Sequence, residues 1–397
     1  MQKTRMAFAA AAALAMVVAA GCGSSGGGSG GSGGETSQQT SQNASTPSGG
    51  GESTNESPSS SGGDTSASGG ASASGDTSAS GGSTASSGAS DSNFACDGKS
   101  GDTVPTKLVL ALVPSGDSQK LVETAKPLTD YLTKALGVPV TGVVSTNYAA
   151  AVEAMGADQA QIGMFAPLPM IQACQKYGAK IVLQSVRFGS STYHTQFFTN
   201  DPDKYCTISK PEPKAANKDY QNCNGTADAK TGPVALDALK NITPGTKVGL
   251  LDPGSTSGYI FPSLALINQG IDPKKDIEIV ALEGHDQSVL ATYNGDDEVG
   301  VSYDDARDAV AEEKKDVGQK VVVFAYSDEI PNDGVVVSGN LNSEWQTKIT
   351  KTLEDYSNTE AGKKVLGDIY QIDSLAPAVP ASLGKVAEAV AKLGLTG

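Results

Sequence analysis

The strongest constraint on the fold is an alternation of short apolar runs with amphipathic segments, which begins at Lys107. KLVLALV (107–113) has the length and composition of a β-strand, whereas DSQKLVETAKPLTDYLTKAL (117–136) has the apolar spacing of a helix. Strands separated by helices of this length predict an α/β fold with largely parallel sheets. Strands are predicted at 107–113, 139–145, 161–166, 180–186, 247–251, 277–282, 298–303 and 320–326, and helices starting near Asn147, Pro167, Ser257, Asp286 and Asp304.

The order of these units predicts two lobes. The chain builds one α/β set, continues into a second, and then returns with a strand and terminal helices. Connecting strands would form a hinge near Thr199 and Phe324, with a ligand cleft between the lobes. The predicted organisation is a first lobe at residues 96–200 and 322–397 and a second lobe at 201–321, which contains a polar, disulfide-bearing insertion at about 203–232.

The N-terminal part divides into a signal and a tether. Lys3 and Arg5 precede an apolar stretch that ends before Cys22, which indicates a cleaved signal peptide at residues 1–21 and resembles a bacterial lipobox. We predict a lipid on Cys22; a plain secretory signal with an incidental cysteine is the alternative. Residues 22–95 are mostly Gly, Ser, Thr and Ala and predict a disordered tether. The folded part is then extracytoplasmic, anchored by lipid to the bacterial cell membrane.

The charge of the remaining chain excludes one class of partner. Residues 96–397 contain 27 Lys and Arg against 38 Asp and Glu, a net charge of −11. Nucleic-acid binding requires clustered Lys and Arg, so no nucleic-acid partner is expected. One small anion remains possible, because local backbone N–H groups can outweigh the average charge.

Four cysteines follow Cys22. Outside the cytoplasm an even number suggests disulfides, and four cysteines allow three pairings. Cys206 and Cys223 flank one polar stretch, which favours a bond between them and therefore a second bond between Cys96 and Cys174. A metal site is the alternative, but the chain has no CxxC motif and only two histidines. We expect no metal and no cofactor.

The stretch LDPGSTSGYIFP (251–262) is the first candidate site. It follows the apolar run KVGLL and places Ser255, Thr256 and Ser257 where a helix begins. The first turn of a helix has unpaired N–H groups and the positive end of the helix dipole, so hydroxyls there can help to bind an oxyanion. The alternative is that one hydroxyl only caps the helix. The cluster of three hydroxyls between glycines favours the anion site.

A serine hydrolase is a further alternative for the same stretch, because GSTSG nearly matches the nucleophile motif G-x-S-x-G. The central residue here is Thr256, not serine. A set of Ser257, His285 and Asp305 would place the acid after the histidine, against the α/β-hydrolase order of serine, acid, histidine. We therefore predict a binding protein and not an enzyme.

Further candidates lie at neighbouring strand ends. His285 can donate a hydrogen bond and take up a proton as an anion arrives. Asp305 could accept from a protonated P–OH or pair with an amine of the ligand, or could simply cap a helix. Asp333 is a similar polar residue, placed before a strand. Tyr148 and Tyr193 could supply a phenol and a flat apolar wall, or could simply pack in the core.

Several stretches, in matching order over most of residues 105–375, resemble the substrate-binding proteins of phosphonate/phosphite ABC importers. They are LVLALVPSGDSQKLVETAKPLTDYLTKALGVPV, TNYAAAVEAM, IGMFAPLPM, VGLLDPGSTSGYIFPSLAL, GHDQSVLATYNGDDEVGVSYDDA and DEIPNDGVVV. The resemblance implies a two-lobed, type II periplasmic-binding-protein fold that closes on a ligand with one phosphorus oxyanion head.

The resemblance also assigns roles to the candidate residues. Aminophosphonate binders of this family have Glu at the position of Asp305. The sequence therefore does not predict which substituent the ligand carries on its phosphorus. The implied partners are a small phosphonate, phosphite or phosphate-like ligand and an ABC permease with its ATPase. We expect a monomer. We expect it to bind the ligand through neutral hydroxyls, N–H groups and histidine in place of Lys or Arg. A ligand of another phosphorylated type, or a sensor lipoprotein, is the alternative. The implied head-group binders are Ser255, Thr256, Ser257 and His285, the tyrosines Tyr148 and Tyr193, and the acidic contacts to the substituent Asp305 and Asp333.

Overall fold

The computed structural model describes residues 94–214, 219–227 and 232–395. The predicted signal peptide, Cys22 and the tether up to residue 93 lie outside the described residues. All described residues belong to one compact unit. No helix in the described ranges is long and apolar enough to cross a membrane.

The helices begin and end where local capping groups are available. The side chain of Asp117 accepts a hydrogen bond from the N–H of Lys120 (2.7 Å) at the start of the first helix, and Gly137 adopts the left-handed conformation at its end, with φ 77°. The α-helices are α1 (Ser118–Leu136), α2 (Tyr148–Gly156), α3 (Pro167–Tyr177), α4 (Pro202–Tyr205), α5 (Phe261–Asn268), α6 (His285–Asn294), α7 (Val317–Lys320), α8 (Ser343–Ser357), α9 (Glu360–Tyr370) and α10 (Gly384–Lys392).

Shorter helical turns complete the pattern. A π-helical turn, Thr256–Ile260, runs directly into α5, so the predicted helix start near Ser257 is confirmed. The predicted helix near Asp304 is wrong, because Ala306–Ala309 forms only one 3₁₀ turn there. Further 3₁₀ turns are Leu236–Asn241 and Pro380–Leu383.

The strands at the predicted apolar runs coincide closely with those runs, and further strands lie between the runs and after the last of them. They are β1 (Leu108–Leu112), β2 (Val140–Val144), β3 (Ile162–Phe165), β4 (Lys180–Val186), β5 (Thr192–Tyr193), β6 (Thr195–Thr199), β7 (Glu212–Pro213), β8 (Gln221–Asn222), β9 (Thr246–Leu250), β10 (Ile277–Ala281), β11 (Val299–Tyr303), β12 (Val322–Tyr326), β13 (Ile330–Pro331), β14 (Gly334–Val337) and β15 (Ser374–Pro377).

The first lobe is built on a sheet with the strand order β15-β4-β14-β3-β1-β2, called here the first-lobe sheet. Leu108, Leu110 and Leu112 of β1 pack with α1, α8 and α9 on one face, whereas Ala111 and Val113 pack with α2, α3 and α10 on the other. Side chains alternate between faces along a strand, so β1 is apolar throughout because helices cover both of its faces.

The second lobe is built on a sheet with the order β10-β9-β11-β6-β12-β8-β7, called here the second-lobe sheet. Strands β9, β10 and β11 are parallel, as predicted. However, β6 runs antiparallel to β11 and β12, and β14 runs antiparallel to β3 and β4 in the first-lobe sheet. The sheets are therefore mixed, because β6 and β14 are the strands by which the chain enters each lobe from the other.

The chain crosses between the lobes through β5 and β13, which pair with each other. This differs from the predicted hinge: Thr199 is the last residue of β6 and Phe324 lies within β12, so both belong to the second-lobe sheet. The predicted boundaries at residues 200 and 322 cut off these two strands, since apolar runs alone do not show which sheet a strand joins. The pairing places the crossings at residues 192–193 and 330–331.

Both sheets present their strand ends to these crossings. The last residue of β11, Tyr303, lies opposite the first residue of β6, Thr195, and the last residue of β3, Phe165, lies opposite the first residue of β14, Gly334. The carboxyl ends of the parallel strands therefore point toward the region between the lobes, which is where α/β folds bind ligands.

Candidate ligand-binding site

The turn after β9 places its three hydroxyl residues inside the protein. Ser255, Thr256 and Ser257 are each at most 3% exposed. Ser255 also caps the helical turn, because its hydroxyl accepts a hydrogen bond from the N–H of Gly258 (3.1 Å). A side chain at Gly254 would overlap the side chain of Tyr148, so the close approach of the turn to the first lobe requires glycine there.

Groups outside the second lobe contact each of these hydroxyl residues. Burial raises the pKa of Tyr148 on α2, and the neighbouring side chain of Ser255 opposes this rise. Burial likewise raises the pKa of Tyr193 on the crossing strand β5, and the neighbouring side chain of Ser257 opposes that rise. The hydroxyl of Thr256 accepts a hydrogen bond from the N–H of Leu168 (3.2 Å). The residue before α3 provides no side-chain cap, so a hydroxyl from the second lobe caps this first-lobe helix.

Helix starts accumulate around the turn. The first turn of α3 contacts Thr256 through Leu168, the turn itself begins a helix, and α6 begins at His285 at the end of the neighbouring strand unit. Each helix start carries a partial positive charge from its N–H groups, so several of them together favour an anion.

His285 is held by contacts from both lobes. Its backbone N–H donates to the carbonyl of Ser115 in the first lobe (3.0 Å), its Nδ1 lies 2.7 Å from the hydroxyl oxygen of Ser302, and its ring lies against Tyr303, with 4.9 Å between centroids. Burial, together with the positive charge of Arg187, lowers the pKa of His285 from 6.5 to about 3. The ring is therefore neutral at physiological pH.

Arg187 was not among the predicted site residues. Its guanidinium forms an ion pair with Asp333 and donates from Nε to the carbonyl of Tyr370 (2.7 Å). Its charge also lowers the pKa of Tyr193, although burial outweighs this effect and raises that pKa to about 12. The prediction of a site built only from neutral groups, without Lys or Arg, thus overlooked a cation. A signal was present, because residues 96–397 contain only two arginines, Arg187 and Arg307.

Asp305, one of the two predicted acidic contacts, is occupied by cations of the chain. Its oxygens accept from Nε (2.9 Å) and Nη2 (2.7 Å) of Arg307, and Nζ of Lys214 lies 3.3 Å away. Burial alone would raise the pKa of Asp305, but Arg307 and Lys214 outweigh it and hold this pKa at about 2. Asp305 also caps the following 3₁₀ turn, as the alternative prediction had it. Asp333, the other acidic contact, is paired with Arg187.

The hydrolase alternative finds no support in these contacts. The Nδ1 of His285 is engaged by the hydroxyl of Ser302, 2.7 Å away. Asp305, which would have to orient the histidine, is instead held by Arg307. A histidine with a pKa near 3 is also a weak general base at neutral pH.

The cysteines form the predicted disulfides. Cys96 is bonded to Cys174 and Cys206 to Cys223, with Cα–Cα distances of 6.1 and 5.5 Å. The ranges that the structure describes contain no cluster of His, Cys, Asp or Glu suited to a metal ion.

Two α/β lobes with crossing strands between them and a buried polar turn at the strand ends define a type II periplasmic-binding-protein fold, as predicted. The chain belongs to the family described as "ABC transporter, phosphonate, periplasmic substrate-binding protein", whose model matches residues 110–383. Members of this family are substrate-binding components of transporters, which agrees with the prediction of an extracytoplasmic binding protein and not an enzyme.

Individual relatives are distant but cover most of the chain. The "Phosphate-import protein PhnD" of Mycolicibacterium smegmatis is 27% identical over 286 residues, 67% of this chain and 79% of the relative. The "Phosphonates-binding periplasmic protein" of Escherichia coli is 23% identical over 65% of this chain and 69% of the relative. The structure of PhnD1 from Prochlorococcus marinus in complex with methylphosphonate shares the fold, with a TM-score of 0.60, 17% identity, and coverage of 74% of this chain and all of that one.

Proposed function

We propose that this protein is the lipid-anchored binding component of an ABC importer. It captures a phosphonate, phosphite or phosphate ion outside the cytoplasm and delivers it to the permease and its ATPase. In this proposal Cys22 carries the lipid and residues 22–95 let the folded part reach the permease as a monomer. A Cys22→Ser variant should move from the membrane fraction to the soluble fraction of expressing cells.

One observation carries the proposal: the buried turn of Ser255, Thr256 and Ser257 is contacted from the first lobe and from a crossing strand. A hydroxyl can accept one hydrogen bond and still donate its own proton. Thr256 can thus cap α3 and donate to an oxyanion at the same time. Because the contacts to the turn come from both lobes, closure of the lobes and completion of the site would be one event.

His285 and Arg187 complete the proposed head-group site. When the Ser302 hydroxyl donates to Nδ1, the neutral ring of His285 carries its proton on Nε2 and can donate it to the ligand. Arg187 supplies a fixed positive charge that affects both His285 and Tyr193. A tetrahedral anion would then meet hydroxyl donors, helix-start N–H groups and one guanidinium field, with water excluded from the strong interactions.

The relatives support a phosphorus oxyanion as the ligand, but they do not indicate which one. One is described as importing phosphate, another as binding phosphonates, and a structural neighbour holds methylphosphonate. These ions share a tetrahedral phosphorus with several oxygens, and the proposed donors would recognise that shared part.

The proposal is tested by isothermal titration calorimetry of the purified protein with phosphate, phosphite, methylphosphonate and 2-aminoethylphosphonate. Sulfate has the same shape without a proton to donate, and acetate is an anion of a different shape; both serve as controls. We expect at least one phosphorus oxyanion to bind at least 100-fold more tightly than acetate. Absence of binding for all four phosphorus compounds would contradict the proposed function.

A further inference from the structure

The segment closed by the Cys206–Cys223 bond brings a lysine to the end of β11. Nζ of Lys214 lies 2.7 Å from Oδ1 of Asp304 and 3.3 Å from Oδ2 of Asp305. The side chains of all three residues are mostly buried, at 15%, 16% and 9% exposure. Such a contact differs from a surface ion pair, because the partly excluded solvent leaves the charges strongly coupled.

The position of Lys214 is built into the fold. Its backbone N–H donates to the carbonyl of Tyr220 (2.7 Å), which extends the pairing of β7 with β8. Strand β8 joins the second-lobe sheet beside β12, where Asn222 lies opposite Val323. The disulfide to Cys223 fixes the end of this segment. The inserted segment pairs with the second-lobe sheet, and this pairing therefore holds Lys214 next to Asp304 and Asp305.

The acids border the proposed head-group site. They directly follow Tyr303, whose ring lies against His285, and the N–H of Asp304 donates to the carbonyl of His194 (3.2 Å) beside the start of β6. Carboxylates at this place repel an anionic ligand and attract a cationic group on that ligand. Whether Asp304 and Asp305 are paired with cations of the protein therefore affects which ligands the site binds.

The chain itself balances these acids. Asp305 forms a two-point ion pair with Arg307, and Lys214 bridges Asp305 and Asp304, so two cations face two carboxylates. Burial opposes a charge on Lys214, but the two aspartates outweigh it and raise its pKa, so that the lysine stays protonated. A ligand amine would have to displace Lys214 to reach the acids.

We propose that Lys214 determines ligand specificity: its ammonium fills the place at Asp304 and Asp305 that a cationic substituent would need, so that the site favours phosphorus oxyanions without an amine. This inference rests on the proposed function and narrows it to phosphate, phosphite and small alkylphosphonates such as methylphosphonate. Lys214 acts by occupying the acids and by cancelling their repulsion of the anion.

Calorimetry with methylphosphonate and 2-aminoethylphosphonate tests the inference on the parent protein and on Lys214→Met. The parent should bind methylphosphonate at least 10-fold more tightly than 2-aminoethylphosphonate. In Lys214→Met this ratio should fall at least 10-fold, because the acids lose a cation and become available to the ligand amine. Lys210→Met removes the same charge from an exposed residue of the same disulfide-closed segment and should keep the parent ratio.

The outcomes separate this inference from the proposed function. Tight binding of methylphosphonate with an unchanged ratio in Lys214→Met overturns the role of Lys214 and leaves the function standing. The same follows if Lys210→Met changes the ratio equally. Absence of binding for every phosphorus compound overturns both proposals. If Lys214→Met does not fold, the two affinities of the parent protein still test the inference. A parent protein that binds 2-aminoethylphosphonate more tightly than methylphosphonate contradicts the proposed role of Lys214.

Discussion

The turn after β9 and the cluster after β11 lie at the ends of neighbouring parallel strands, but they are built from opposite chemistry. The turn at residues 254–258 contains no charged side chain and is held by hydroxyls and backbone N–H groups. The cluster consists of Asp304, Asp305, Arg307 and Lys214, joined by ion pairs.

The difference shows two ways of placing polar groups in a protein interior. The neutral turn costs little to bury, because it carries no charge and the hydroxyls of Ser255 and Thr256 accept hydrogen bonds from backbone N–H groups, and these hydroxyls can still donate to a ligand. The charged cluster is stable only as a complete set, because removing one partner leaves an uncompensated buried charge. We therefore expect substitutions in the cluster to affect folding most, and substitutions in the turn to affect binding most.

The largest effect is expected for Arg307→Met. The Arg307 side chain is fully buried and donates to Asp305, Asn222 and the carbonyls of Gln221 and Val321. Its loss should lower the free energy of unfolding by about 3–5 kcal/mol, because these acceptors lose their donor and the two buried carboxylates Asp304 and Asp305 keep only one cation, Lys214. Urea unfolding measures this change.

An exposed lysine provides the control for Arg307→Met. Lys126 forms an ion pair with Asp130 (2.6 Å), but both side chains are more than 60% exposed. Lys126→Met should change stability by less than about 1 kcal/mol. Similar losses for the two variants would contradict the distinction between buried and exposed pairs.

In the turn, Ser257→Ala should act on binding. Loss of this hydroxyl should weaken binding of methylphosphonate or phosphate by about 1–3 kcal/mol, as for a hydrogen bond to a charged group. Calorimetry with the parent as reference measures it. Ser263→Ala, at another buried serine on the following helix, should leave the affinity unchanged. Equal affinity of Ser257→Ala and the parent would remove Ser257 from the site.

The pH dependence of stability should reveal the neutral state of His285. The unfolded chain takes up a proton on this residue below pH 6.5, whereas the folded protein does so only near pH 3. Stability is therefore fully present above pH 6.5 and is lost as the pH falls, by about 2 kcal/mol between pH 7.5 and pH 5.

The variant His285→Gln should lack this contribution, which urea unfolding at the two pH values measures. Asp297, whose pKa burial raises to about 6, titrates in the same range but is present in both proteins and cancels in the difference. If parent and variant lose the same stability, His285 is not held neutral by the fold.

The smallest effect is expected for Tyr193→Phe, which removes one hydroxyl next to Ser257. Binding of methylphosphonate should weaken by about 0.5–1.5 kcal/mol, the usual value of one neutral hydrogen bond. Tyr131→Phe, in the first-lobe core and stacked on Tyr356 (4.3 Å), is the matched control and should bind like the parent. If both variants bind methylphosphonate as tightly as the parent, the hydroxyl of Tyr193 does not contribute to binding and this residue only packs.

Much of the fold could be predicted from local patterns. The apolar runs predicted the strands β1 to β4 and β9 to β12 to within about two residues. Asn147 directly precedes α2, and α6 begins at His285, one residue before the predicted start at Asp286. The bond between Cys206 and Cys223 followed from the short polar stretch between them. These features depend on residues close together in the chain, where helix period, strand alternation and capping act.

The lobe boundaries and the cations of the site could not be predicted in this way. The assignment of β6 and β12 to the second lobe depends on which strands pair, and no local pattern encodes that choice. Arg187 meets Asp333 only because the chain crosses to the second lobe and returns. Lys214 meets Asp304, 90 residues away, only because the inserted segment joins the second-lobe sheet.

The sequence by itself thus determined the α/β class, the hydroxyl turn and the bond between Cys206 and Cys223, which are 17 residues apart, because these features depend on residues close together in the chain. The bond between Cys96 and Cys174, 78 residues apart, followed only because these were the two cysteines that remained. Only the tertiary structure decided which charges accompany that turn. An ion pair forms between side chains that packing brings within about 4 Å, and packing depends on the whole strand order. The turn at Ser255 could therefore be predicted from the sequence, whereas its neighbours Arg187 and Lys214 could not.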